Sequence, residues 1–169
     1  MLLTGWQYRD EASVLKHVRA IRIHFTPRQA HLQRIDELES RVRATCDVLV
    51  GVHIRRGDYR HFMDGKWYYE LGVFLELMSK IRRLFRDREV AFLICSDEPL
   101  ASVAFSKFNA HFGPNHLIED MYLLARCDYL IGPPSTYTKW ASYYGDVPRL
   151  EIADPNLDPS LVDFVVSDL

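Results

Sequence analysis

The apolar positions of this chain follow two rhythms that trade places along its length. From Asp10 to Phe25, Val14, Leu15, Val18, Ile21 and Phe25 recur at helical spacing. Thr26-Pro27 then reads as an N-cap followed by proline at the first helical position, opening a helix that runs to about Thr45. Its apolar stripe is Leu32, Ile35, Leu38 and Val42. The opposite face, with Arg34, Asp36, Glu37, Glu39, Arg41 and Arg43, reads as a solvated surface. At Asp47 the rhythm changes to the β-branched run Val48-Leu49-Val50-Gly51-Val52-His53-Ile54, which predicts a buried strand.

The alternation continues to the end of the chain. A polar loop over 60–66 leads to a helix over 67–85, with Tyr68, Leu71, Phe74, Leu75, Met78 and Ile81 facing inward. Glu89 to Ser96 predicts a second buried strand. Leu100 to about Phe112 predicts a helix stopped by Gly113-Pro114-Asn115, and His116-Leu117-Ile118 a short strand. Asp120 to Ala125 predicts a short helix and Tyr129 to Gly132 a strand. Ser135 or Thr136 caps a helix running to about Tyr144, and Val147 to Ile152 is the last strand-like run. The pattern predicts an α/β fold, a Rossmann-like parallel sheet with helices on both faces. Residues 1–45 are expected to form an N-terminal helical segment packed on a Rossmann-like domain over 46–169, one compact body overall.

Composition narrows the possible functions. A chain of 169 residues suits one domain, and a net charge of -2 removes any global case for nucleic acid or an anionic membrane. Any anion site must be local. Cys46, Cys95 and Cys127 lack metal-ligand spacing and read as small buried hydrophobes, so a reduced, cytoplasmic setting is expected. No apolar run is long enough to span a bilayer, and the stretch before Tyr8 is too short for a secretory leader.

Charge gathers where the central strand ends, at His53-Ile54-Arg55-Arg56-Gly57-Asp58. Charged groups at a buried strand end are costly unless an anion meets them, and that end is where open parallel sheets bind ligands. Arginine suits phosphate because its planar fork donates two parallel hydrogen bonds and stays protonated. Strand alternation puts His53 and Arg55 on one side and Arg56 on the other, so one arginine grips while the other braces the loop. Ser96-Asp97-Glu98, Asp120 and the Ser135-Thr136 cap fall at other strand ends of the same sheet edge. With no Asp-x-Asp pair and no His/Asp/Glu ligand spacing, arginines and helix amides, not a metal, are expected to neutralise a bound diphosphate.

His53-Ile54-Arg55-Arg56-Gly57-Asp58 resembles the His-x-Arg-Arg-x-Asp signature of α1,2- and α1,6-fucosyltransferases, the α1,2 branch being closer. The resemblance extends through Gly5-Trp6-Gln7, Ser96-Asp97-Glu98, Glu119-Asp120-Met121-Tyr122-Leu123-Leu124, Cys127-Asp128-Tyr129 and Ser135-Thr136-Tyr137-Thr138-Lys139-Trp140-Ala141, in the family's order. It implies the nucleotide-sugar half of a GT-B glycosyltransferase, moving fucose from GDP-fucose to a sugar hydroxyl with inversion and no metal or other cofactor. By the same resemblance, Arg55 grips the β-phosphate, His53 and Asp120 hold the guanosine end, and Arg56, Asp97, Ser135 and Thr136 complete the donor site. Arg55 and Asp58 are the expected catalytic pair, with Asp58, His61 and Asp64 all open as the base. The glutamate that the α1,6 branch carries past the motif has no counterpart in Arg60-His61-Phe62-Met63. The resemblance also implies an additional amino-terminal domain, most of which this chain is expected to lack, so a non-catalytic or truncated GDP-sugar-binding module is the alternative. The implied partners are a GDP-sugar donor and a glycan acceptor.

Overall fold

A computed structural model describes residues 11–167. The Gly5-Trp6-Gln7 segment lies outside them. Helices α1 (Glu11–His24) and α2 (Gln29–Arg43) precede strand β1 (Val48–Ile54), helix α3 (Leu71–Leu84) and strand β2 (Val90–Ser96). Strand β3 (Asn109–Phe112), helix α4 (Leu117–Leu124), strand β4 (Tyr129–Gly132), helix α5 (Thr136–Gly145) and strand β5 (Arg149–Glu151) follow. All the strand pairs are parallel and the sheet order is β3-β2-β1-β4-β5, the order of an open, doubly wound α/β sheet.

The central strand sits between two apolar layers, which is why its sequence is almost wholly apolar. Val48, Val50, Val52 and Ile54 join Phe74, Met78 and Ile81 of α3 on one face. Leu49 joins Ile35 and Val42 of α2, Leu123 and Leu124 of α4, and Ala141 of α5 on the other. Gly51 makes this second packing possible. A Cβ there would lie 2.6 Å from a Leu130 methyl and 2.7 Å from a Leu124 methyl. The Gly51→Ala change is expected to cost about 1–3 kcal/mol of stability in denaturant unfolding, the cost of overpacking a filled core.

Three local expectations are corrected. Leu100 to Phe112 is not one helix: a 3₁₀ turn over Ser102–Phe105 is followed by β3, whose Asn109 to Phe112 pair with Ala91 to Ile94. Helix propensity lost to the open edge of β2, whose backbone groups needed partners. His116-Leu117-Ile118 is not a strand. It opens α4, with the His116 ring accepting from the Ile118 and Glu119 amides. Helix α2 starts at Gln29 with Arg28 as its N-cap, while the Thr26 hydroxyl donates to the Arg22 carbonyl of α1.

The polar face of α2 is also not simply solvated. Arg34 pairs with Glu119, Asp36 and Glu39 with Arg126, and Arg43 with Asp128. Helix α2 is thereby fastened along α4 and the loop after it. No described helix is long and apolar enough to cross a membrane.

Candidate functional site

A cavity of about 430 Å³ opens at the carboxyl edge of the sheet, lined by His53, Arg55, Asp58, Cys95, Ser96, Asp97, Asn115, Leu117, Asp120 and Tyr137. Its walls come from the ends of β1 and β2, the amino end of α4 and the first turn of α5. Helix α3, leading from β1 to β2, packs on one face of the sheet and α4, leading from β3 to β4, on the other, and that divergence opens a crevice at the strand ends.

Arg55 stands just past β1. Its Nε and Nη2 donate to the two carboxylate oxygens of Asp58 at 2.9 and 2.6 Å, and its Nη1 lies 3.5 Å from the Ser135 hydroxyl. The guanidinium stacks 4.5 Å from the centre of the Tyr59 ring, whose hydroxyl donates to the Pro134 carbonyl. One edge of the fork is spent on Asp58, and the Nη1 edge remains for an anion. The hydrogen bond from Arg55 holds the Asp58 carboxyl below its ordinary pKa, so Asp58 stays ionised and is a weak proton acceptor.

Arg56 points elsewhere and does not line the cavity. Its Nη2 donates to the Tyr68 hydroxyl at 2.9 Å, and its guanidinium lies within 3.4 Å of Glu70 and 3.2 Å of Glu98. It braces the loop that follows. Asp97 clamps the turn between the two arginines and the loop: its carboxylate accepts from the Arg56 amide at 3.0 Å and the Gly57 amide at 3.1 Å. A Cβ on Gly57 would lie 2.9 Å from that carboxylate, so glycine is what lets Asp97 close on the backbone.

His53 and Asp120 supply polar atoms with no partner. His53 is buried, and its Nδ1 has no hydrogen bond in the structure. Burial first, and then the Arg55 charge, push its pKa down to about 3, so the ring is neutral at physiological pH. Asp120 is 5% exposed, and its Oδ1 is buried without a partner. Burial pushes its carboxyl up to about 6. An orphaned acceptor on a cavity wall is a costly feature that a ligand donor would relieve.

Ser135 and Thr136 stand back from the lining. Ser135 caps α5, accepting from the Tyr137 amide at 3.2 Å, and meets the cavity only through Arg55. Thr136 is the first residue of α5. The sequence reading missed Tyr137, Asn115 and Leu117 as lining residues. Tyr137 faces the His53 ring at 5.1 Å, and its hydroxyl donates to the Leu117 carbonyl at 2.7 Å. The Gly-Pro-Asn run before an acidic helix start was the available signal for Asn115, which adopts a positive φ of 57°.

One group among the described residues brings three metal-ligand atoms within 4.8 Å of one another: His31, His116 and Glu119. Arg34 already lies 2.5 Å from the Glu119 carboxylate, and His116 Nδ1 is committed to two backbone amides. With a guanidinium against its carboxylate, the group forms an ion-pair network.

The comparisons with known proteins agree with this fold. The chain is 27% identical to Nodulation protein Z of Azorhizobium caulinodans over 149 residues, covering 70% of this chain and 45% of that protein. The chain therefore spans less than half the length of that relative. Its fold is similar to a mutant of Arabidopsis thaliana FUT1 solved in complex with GDP, with a TM-score of 0.56 and 12% identity over 81% of this chain and 35% of that one. The family model of glycosyl transferase family 11 matches residues 17–162, nearly the whole chain and every residue that lines the cavity, and the chain belongs to that family.

Proposed function

We propose that this chain is the nucleotide-sugar half of a GT-B fucosyltransferase, holding GDP-fucose at the carboxyl edge of its sheet for inverting transfer to a sugar hydroxyl. The observation that carries the reading is Arg55, whose fork is held by Asp58 on one edge and presents Nη1 beside a helix amino end on the other. Family membership and the GDP in the related Arabidopsis structure support the nucleotide.

In this reading the diphosphate lies against Arg55 and the amino end of α5, where Ser135 and Thr136 sit and backbone N–H groups favour an anion. The guanine edge donates its N1–H and N2–H to Asp120, filling the orphaned acceptor, and the neutral His53 ring supplies a second polar atom. As the fucose C1–O bond stretches, negative charge builds on the departing GDP. A guanidinium already in position stabilises that charge more in the transition state than in the ground state. Among the described residues Arg55 is the cation lining the cavity, and in this reading it acts with the amino end of α5 to neutralise the diphosphate in place of a divalent ion.

Asp58 acts in this reading as the orienting partner of Arg55 and does not take the acceptor's proton. His61 and Asp64, both exposed in the following loop, are the candidates left for that role. Asp97 fixes the turn that aims Arg55. In an Asp97→Asn variant one backbone amide would face an NH₂ group, and GDP affinity is expected to fall roughly fivefold, about 1 kcal/mol, as titration calorimetry would show.

A second reading is a GDP-sugar-binding module without turnover, favoured by the commitment of both Asp58 oxygens to Arg55, which takes Asp58 out of the role of base. The discriminating assay follows GDP release from GDP-fucose in EDTA across a panel of oligosaccharide acceptors. Acceptor-dependent release supports the transferase. Tight GDP binding with no release from any acceptor supports the module.

A further inference from the structure

Behind the cavity, Glu119 makes a set of contacts that the donor site does not use. It is 3% exposed, and its Oε1 accepts from Arg34 Nε at 2.6 Å, lies 2.5 Å from Arg34 Nη2 and sits 2.8 Å from His31 Nδ1. Arg34 and His31 belong to α2, and Glu119 to the first turn of α4. Successive helix positions point about 100° apart, so Glu119 faces α2 while Asp120 faces the cavity. Two neighbouring carboxylates, both buried, therefore share one helix turn. One is compensated by a guanidinium and the other is not.

We propose that Glu119, Arg34 and His31 form a charge-compensated latch that positions Asp120 and keeps its carboxylate ionised for the ligand. This rests on the reading of Asp120 as the guanine acceptor and extends it to three residues that touch no ligand. Two buried carboxylates this close oppose each other's ionisation, and a guanidinium on one relieves the other. The directions agree: Arg34 and His31 hold the Glu119 carboxyl down to about 2, while the Glu119 charge adds to the burial that raises Asp120. Among the described residues, the other titratable groups near Asp120 are His53 of β1, Cys95 of β2, the His116 cap, Tyr137 of α5 and Glu98, which lines a smaller adjoining cavity with it. Arg55, Asp58 and Asp97 line the same cavity.

The test is an NMR titration of the Asp120 carboxyl carbon in protein labelled at aspartate, without nucleotide. It compares the native chain with Arg34→Met and Glu119→Gln. Both variants break the same ion pair, but they leave opposite charge. Arg34→Met leaves Glu119 uncompensated, and the Asp120 midpoint is expected to rise. Glu119→Gln removes the charge, and the midpoint is expected to fall. A structural role alone would move both in one direction, and that result, or no movement in either, overturns the proposal. GDP affinity against pH is then measured on the same three proteins. Carboxyl midpoints that shift as expected while GDP profiles do not follow would leave the latch standing and remove the guanine reading.

Discussion

The Arg55→Ala variant is expected to bind GDP more weakly, and to turn over more slowly, by two to three orders of magnitude, a loss of about 3–4 kcal/mol. Two effects combine. The Nη1 edge that would meet the diphosphate is gone, and Asp58 is left as an unpaired carboxylate facing the same anion. The double variant Arg55→Ala/Asp58→Ala should therefore recover part of the lost affinity, a non-additivity expected of two groups in direct contact. Arg55→Lys keeps the charge without the fork and should fall between the native chain and alanine. Calorimetric GDP titration of the four proteins measures this directly. If Arg55, Asp58 and their neighbours formed only a structural ion-pair network, Arg55→Ala would instead lower the unfolding midpoint sharply and no variant would differ in GDP binding, because none would bind.

Replacing Asp120 with asparagine is expected to weaken GDP binding by about 10- to 100-fold at pH 7.5, the worth of a charge-assisted hydrogen bond. It should also make the protein more stable at that pH. The folded-state pKa of Asp120 is raised by burial to about 6, so its neutral form suits the fold. Its stabilising contribution is fully present below the unfolded-state pKa and is lost as pH rises through about 6. Above that, the native chain carries a penalty of about 2–3 kcal/mol that asparagine removes, so the two unfolding curves should converge at pH 4 and separate at pH 7.5. Ligand binding runs the other way, because the carboxylate is the acceptor. Native GDP affinity should fall as pH drops through 6. The terminal phosphate of GDP also protonates near pH 6, so the fall must be compared with Asp120→Asn, which keeps only the phosphate's share. A site that trades folding stability for an ionised acceptor is expected where a ligand repays the cost.

Much of this site was legible in the sequence, because its strongest signal is a local contradiction. Val48 to Ile54 is a buried strand, and the arginines that follow it make no sense in a core without an anion or a counter-charge. Alternation along the strand separated Arg55 from Arg56 correctly, one at the cavity and the other in the brace of Tyr68, Glu70 and Glu98. The parallel sheet with helices on both faces also followed from the pattern of strands and helices. The failures came where tertiary contacts overrule local preference. Asn109 to Phe112 carries no strand rhythm of its own and becomes β3 because β2 offers it an edge. His116 caps a helix through its ring, a role that propensity assigns to Ser, Thr, Asp or Asn. The charged face of α2 read as solvated because its partners, Glu119, Arg126 and Asp128, lie more than eighty positions away in sequence. That both Asp58 oxygens meet Arg55 was not legible from spacing alone.

The central claim is that the carboxyl edge of this sheet is a metal-free diphosphate site built on Arg55. The direct measurement is a calorimetric titration of the native chain with GDP in EDTA, with Arg55→Ala alongside. The account predicts one saturable site in the native chain, unchanged by chelator, and binding weaker by about two to three orders of magnitude in the variant. Binding that vanishes in EDTA, or that survives intact in a folded Arg55→Ala protein, would contradict it.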